Sequence, residues 1–183
     1  MVRGWCRLAA LSAVVVVLVV ACQGGHGSGK AHSRTPAPAA SSPASLASTA
    51  KTRALRAYRA MWRAYMAASR SADADDPRLA RYAAGKALRV LRSSLRSLRH
   101  DGLRGGGQVD LSPTVQRLVP LGVPVVAVLG DCVDMSGTRL YRPDGGPYHV
   151  PAGRRAISAT VEVLDGGVWK VTRFAIRGAG SCK

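Results

Sequence analysis

The sequence predicts an α+β fold in one domain, with helices first and antiparallel strands after, preceded by an export segment and a spacer. Three observations carry this. Apolar residues recur at three- and four-residue steps from Lys51 to about Gly102. Beyond Gly107 the period shortens to two, in segments rich in Val, Ile and Thr. The first fifty residues hold one uncharged apolar run followed by Gly, Ser, Ala and Pro. A chain of 183 residues fits one domain of ordinary size plus such appendages.

Arg3 and Arg7 make a basic start to the run LAALSAVVVVLVVA, Leu8 to Ala21, which carries no charge. That is the pattern of a secretory signal. As a helix it spans about 21 Å, short of the roughly 30 Å hydrocarbon core of a bilayer, so a permanent span is the weaker reading. Val19-Val20-Ala21-Cys22 resembles a bacterial lipobox. The resemblance implies diacylglyceryl transfer to the Cys22 thiol and cleavage before it, dividing signal (1–21) from mature chain. Anchoring by two acyl chains is stable, each buried CH₂ contributing about 0.8 kcal/mol. The expected location is the extracytoplasmic face of the cell membrane of a high-GC, Gram-positive bacterium. An uncleaved anchor or an incidental Cys22 is the alternative; Cys6 lies in the part removed. Residues 22–50 are too poor in large apolar side chains to pack and are expected as a disordered spacer reaching roughly 30 Å. Its isolated His26 and His32 are not expected to hold a metal.

The domain is expected to occupy 51–183. Leu55, Tyr58, Trp62, Tyr65, Met66 and Ser69 form an aromatic stripe on a first amphipathic helix, with Arg53, Arg56, Arg63 and Arg70 mainly on the other face. Asp76-Pro77 opens a second, short helix, Asp as cap and Pro in the first turn. A third carries Leu88, Leu91, Leu95 and Leu98 as its buried stripe and ends near Gly102. Arg89, Arg92, Arg96 and Arg99 run beside the leucines.

After RGGGQ, the segments VQRLVP, VPVVAVLGDCVD, TRLYRP, RRAISATVEVL and VWKVTRFAI read as four or five strands. Asp144-Gly145-Gly146 and Asp165-Gly166-Gly167 are the turns, and the last two strands form a hairpin. Cys132 and Cys182 are an even pair in an oxidising compartment and are expected as a disulfide. On the chain-entropy model that bridge stabilises by roughly 4 kcal/mol. A redox or metal pair is the alternative, without CxxC spacing to support it.

Several of these residues together carry a resemblance. Tyr58, Trp62 and Tyr65 on a first helix, two further helices, Asp131-Cys132, Gly167-Val168-Trp169-Lys170-Val171 and the final Cys182 look like the nuclear transport factor 2-like cone of actinobacterial exported lipoproteins. The resemblance covers about Lys51 to Lys183. It implies N-terminal helices packed on a curved antiparallel sheet around a conical pocket, with Tyr58, Trp62, Tyr65 and Asp131 as candidate pocket residues. Enzymes of that superfamily are implied to use Asp, Tyr and His around a buried ligand.

No catalytic set is assigned here. Strand alternation puts Asp131 and Asp134 on opposite faces, so only one can face a pocket; an inward Asp beside Val128 and Leu129 would have a raised pKa and act as a base, the alternative being a carboxylate paired with an arginine or ending a strand. His100 sits at a helix end and His149 in a loop, and no nucleophile elbow, phosphate loop or HExxH run is present. Lys and Arg total 27 against 10 Asp and Glu, a net charge of +17, which favours anionic partners. Arg outnumbers Lys and Asn is absent, so part of this basicity reflects GC-rich codon usage. The Arg89, Arg92, Arg96 and Arg99 stripe is a candidate site for anionic polymers, but no nucleic-acid signature accompanies it. The expected function is non-enzymatic binding of a small apolar ligand or an envelope protein, at a membrane held through the N-terminal lipid, with no cofactor. A subunit of a transport or secretion system, a polyanion binder and an isomerase- or cyclase-like enzyme are the alternatives.

Overall fold

Ser42 starts the first helix: its hydroxyl accepts from the Ser45 N–H, and Pro43 takes the first helical position. The computed structural model describes residues 42–149 and 153–182. The segments expected as signal and spacer up to Ser41, with Cys22, His26 and His32, lie outside the described residues. Helix α1 (Pro43–Ser69) therefore begins inside the stretch expected as spacer rather than at Lys51. The cap and the alanines of PASLASTA suit a helix, and Ala50 and Ala54 are already buried against the sheet. Helices α2 (Pro77–Tyr82) and α3 (Gly85–His100) follow as expected. Asp76 caps α2 through the Arg78 N–H at 2.8 Å.

Among the described residues seven strands come next: β1 (Arg104–Gly107), β2 (Thr114–Val119), β3 (Val126–Asp134), β4 (Thr138–Tyr141), β5 (Pro147–Tyr148), β6 (Arg154–Leu164) and β7 (Val168–Ile176). Two antiparallel sheets result, one in the order β2-β3-β6-β7 and one in the order β1-β4-β5. Strands β1 and β5 exceed the sequence expectation. β1 is RGGG, which has no strand signature; it forms because glycine lets it approach the end of α1 and β4. A Cβ at Gly105 would lie 2.6 Å from the Ser69 Cβ, and one at Gly106 would lie 2.9 Å from the Tyr141 ring.

The four-stranded sheet is irregular in two places, between Val115 and Arg117 and between Thr160 and Val161. Such bulges bend strands and increase their twist. Its inner face carries Leu129 and Val133 of β3, Val161 of β6 and Val171 of β7, all fully buried. Against it lie Tyr58 and Met61 of α1, Leu79 of α2, and Leu91 and Leu95 of α3. Leu88 and Leu98, expected in the buried stripe, are half-buried beside this core. The edge of β7 is covered at one point, where Ala84 donates to the Val171 carbonyl, 2.9 Å, which shortens its open edge.

Cys132 and Cys182 form the expected disulfide, with Cα atoms 6.0 Å apart. The tail is held further where the Gly180 N–H donates to the Arg154 carbonyl and the Ser181 hydroxyl accepts from the Ala156 N–H.

Candidate functional site

The outward half of the α1 aromatic stripe faces two cavities. One, of about 430 Å³, lies between α1 and the segment leaving β1. Its apolar wall is Trp62, Met66, Val109 and Leu111; Arg59, Arg63 and Arg70 also line it, and no carboxylate does. The other, of about 250 Å³, lies between α1, α3 and the start of the three-stranded sheet, with Tyr65, Ser94, Leu98 and Met135 among its walls. Trp62 and Met66 are common to both. Glycine makes room on this side: Gly107 borders the larger cavity and Gly105 and Gly106 the smaller.

Trp62 is only 3 % exposed and is fixed by ring contacts with Tyr58, Tyr65 and Phe174, at centroid distances of 6.0 to 6.5 Å. The contacts with Tyr58 and Tyr65 are edge-on, an arrangement preferred over face-to-face stacking. Tyr65 is held by its hydroxyl, 2.8 Å from that of Ser94, and burial pushes its pKa up.

Asp131 lies behind the larger cavity, on the inner face of β3, where alternation places it opposite Cys132. It is 8 % exposed. Its Oδ1 accepts from the Ser112 N–H at 2.8 Å, next to the wall residue Leu111. Burial raises the Asp131 pKa, opposed by the Ser112 N–H, the Tyr58 hydroxyl, the Cys132 N–H and the charge of Arg59. Burial, then the Asp131 charge, push the Tyr58 hydroxyl well above the usual phenol range. The Tyr58 hydroxyl, the Trp62 indole N–H and Asp131 Oδ2 are buried without a well-formed hydrogen bond. This polar cluster, set in the core, fixes the loop that walls the cavity.

Of the candidate pocket residues, then, Trp62 lines both cavities and Tyr65 the smaller, while Tyr58 and Asp131 line neither. The two pairs separate because α1 turns Tyr58 directly onto β3 and Trp62 to the margin of the sheet. Arg63 and Arg70, expected on the face away from the stripe, are exposed and also border the cavity. The helix is broad enough for long side chains from its flank to frame the same opening as the stripe. Arg59 and the 107–111 segment went unremarked in the sequence. Arg59 is three residues before Trp62 and four before Arg63, a spacing that places it at the stripe's margin; nothing in GGGQVDL signals a wall.

The stripe on α3 is divided. Arg99 Nε donates to the Ala72 carbonyl at 3.0 Å and its guanidinium faces Asp73; the Arg92 Nε is buried. Arg89 and Arg96 are exposed, as are His100 and His149.

No family model matches the chain, and no curated protein matches it. Among solved structures, the intermembrane space region of chloroplast protein ARC6 is similar with a TM-score of 0.53 at 13% identity, over 70% of this chain and 97% of that one. Aln2 from a Streptomyces species has a TM-score of 0.45 at 13% identity, over 79% of this chain and 93% of that one. A ketosteroid isomerase-like protein from Erwinia carotovora atroseptica has 0.37 at 15% identity, over 69% and 93%. At these identities the likeness is one of fold, and only the first is close enough to carry it.

Proposed function

We propose that this chain is an envelope-facing binding domain of the nuclear transport factor 2-like cone type, tied to the membrane by a lipid on Cys22. In this reading its larger cavity takes a small amphipathic molecule with an apolar body and an anionic group. The observation that carries the reading is the composition of that cavity. Small-molecule sites are mostly apolar concavities of roughly 300–1,000 Å³ with a few polar groups, and this one, at about 430 Å³, joins Trp62, Met66, Val109 and Leu111 to three arginines. The described ion pairs engage Arg78, Arg99 and Arg173; Arg59, Arg63 and Arg70 are in none of them, although the charge of Arg59 reaches Asp131 behind the wall. Guanidinium groups bind carboxylate, sulfate or phosphate through paired hydrogen bonds. An apolar tail against Trp62 and an anion at the arginines would satisfy both halves of the wall.

The chain is to be purified whole from its own envelope, examined by native mass spectrometry, and its bound molecules extracted. One recurring amphipathic anion is expected. An empty chain whose tryptophan fluorescence also ignores decyl phosphate would overturn the reading. The anchor is tested separately: Cys22→Ser should leave an unlipidated precursor, and a variant that still fractionates with membranes in mature form refutes the lipobox.

A second reading, an isomerase-like enzyme, draws on the raised pKa of Asp131 beside Tyr58. It ranks lower because neither residue lines the larger cavity or the smaller. Asp131→Asn would abolish an activity that depends on this base.

A further inference from the structure

The turn between β2 and β3 is the most exposed apolar feature among the described residues. Leu121 is 94% exposed and Val123 64%, with Val119 and Val125 beside them. No charge occurs between Arg117 and Asp131. The turn is ordered by the Val125 N–H donating to the Val119 carbonyl, 2.9 Å, and it continues the sheet where the Val163 N–H donates to the Val125 carbonyl, 2.8 Å. Leu121 thus stands on a convex tip, and a convex apolar tip suits penetration of a soft surface rather than capture of a ligand.

The location of the tip indicates which surface. Val123 and Val125 share a cleft with Leu46 and Arg53 in the first turns of α1. Ser42, where the described residues begin, is one helical turn from Leu46 and so lies at this end. Lys51, Arg53 and Arg117 are exposed around it, as an anionic headgroup layer favours. Pro120 and Pro124 have no N–H to desolvate. Two acidic groups lie at this end: Glu162, opposite Val126 in the sheet, is paired with Arg173 at 3.4 Å, and Asp165, exposed in the neighbouring β6–β7 turn, would keep that second turn in the headgroups.

We propose that residues 119–125 dip into the headgroup–acyl boundary of an anionic bilayer, so that the domain meets the membrane with this tip and the start of α1. The choice of a membrane as the occupant rests on the reading of the N-terminal segment as its anchor.

The test uses the full chain in a Cys6→Ser background, with an environment-sensitive dye on Leu121→Cys or, as control, Asp144→Cys. Asp144 is exposed in the β4–β5 turn, whose Pro143 lies against Gly102 beyond the far end of α3. The protein is reconstituted into phosphatidylglycerol–phosphatidylethanolamine vesicles with or without brominated acyl chains. Insertion predicts that bromolipid dims the dye at 121 by about twofold or more and leaves the dye at 144 unchanged. Leu121→Cys combined with Val123→Glu should lose most of that quenching, and both positions are exposed enough to be changed without unfolding. A dye at 121 quenched no more than the one at 144 overturns the proposal. So does a blue-shifted dye at 121 that bromolipid does not quench, which would assign the tip to a second copy or another protein. The mass of the labelled chain reads the anchor independently: dye on Cys22 as well means that the thiol is not acylated, whichever way the quenching falls.

Discussion

Helices α1 and α3 both carry an arginine row beside an apolar stripe, yet the two rows meet different surroundings. On α3, Arg99 bonds the Ala72 carbonyl and faces Asp73, so it ties α3 to the loop after α1, and the Arg92 Nε is buried. On α1, Arg59, Arg63 and Arg70 meet Trp62, Met66 and a cavity without carboxylates. One residue type at one kind of spacing is thus half engaged by the fold on α3, where Arg89 and Arg96 stay exposed, and borders a cavity on α1. What lies across from a helix, and not the helix, assigns the role.

The largest expected effect tests whether the inward faces are equivalent although the outward ones are not. Leu95→Ala, at a fully buried site, should destabilise the fold by about 2–5 kcal/mol in urea unfolding, with the intrinsic affinity of the folded fraction nearly unchanged. A loss below about 1 kcal/mol would mean that α3 is not part of the common core.

The comparison is sharpened by paired substitutions. Arg59→Gln with Arg63→Gln should weaken decyl phosphate binding on the order of ten- to a hundredfold at little cost in stability. Arg89→Gln with Arg96→Gln, on exposed α3 positions, should leave it within a factor of about two. Calorimetric titration checks both, and equal losses from the two pairs would erase the distinction between the rows. Arg99→Gln should instead act on stability, by about 1 kcal/mol or less given its partial exposure, and not on affinity.

The smallest effect concerns the cluster behind the cavity. The folded pKa of Asp131 is raised, so its ionised form is less favourable in the fold than in the unfolded chain. That penalty is fully present above the folded pKa and fades as pH falls toward the unfolded value. Asp131→Asn, which keeps an acceptor for the Ser112 N–H, should raise the urea midpoint slightly at neutral pH, with the gain shrinking on acidification. A gain that grows on acidification would mean that Asp131 is stabilised as the carboxylate. Asp76 has the opposite sign: Arg78, chiefly by hydrogen bonding, holds its pKa down, so its contribution is present above the unfolded pKa and is lost as pH falls through the lowered one.

Much of this was legible in the sequence, for local reasons. The three helices, the longer strands, the glycine turns and the Cys132–Cys182 bridge each have a signature in neighbouring residues or in cysteine count. Alternation along VAVLGDCVD was enough to put Asp131 and Cys132 on opposite faces of β3. Two things escaped for equally physical reasons. The start of α1 at Pro43 was hidden because serine, alanine and proline suit a spacer and a capped helix alike. β1 was hidden because three glycines carry no strand preference; only the approach of Ser69 and Tyr141 makes them necessary.

By itself, then, the sequence determined the order of elements, the inward stripes of the helices, the turns and the cysteine pairing, all of which follow from periodicity and short-range chemistry. Only the tertiary structure decided that Tyr58 and Asp131 lie in the core while Trp62 lines a cavity, that Arg59, Arg63 and Arg70 rim it, and that the tip at Leu121 stands beside the start of α1. Those relations join residues tens of positions apart. They depend on how helices settle on a bent sheet, and the local pattern of any one segment does not contain that geometry.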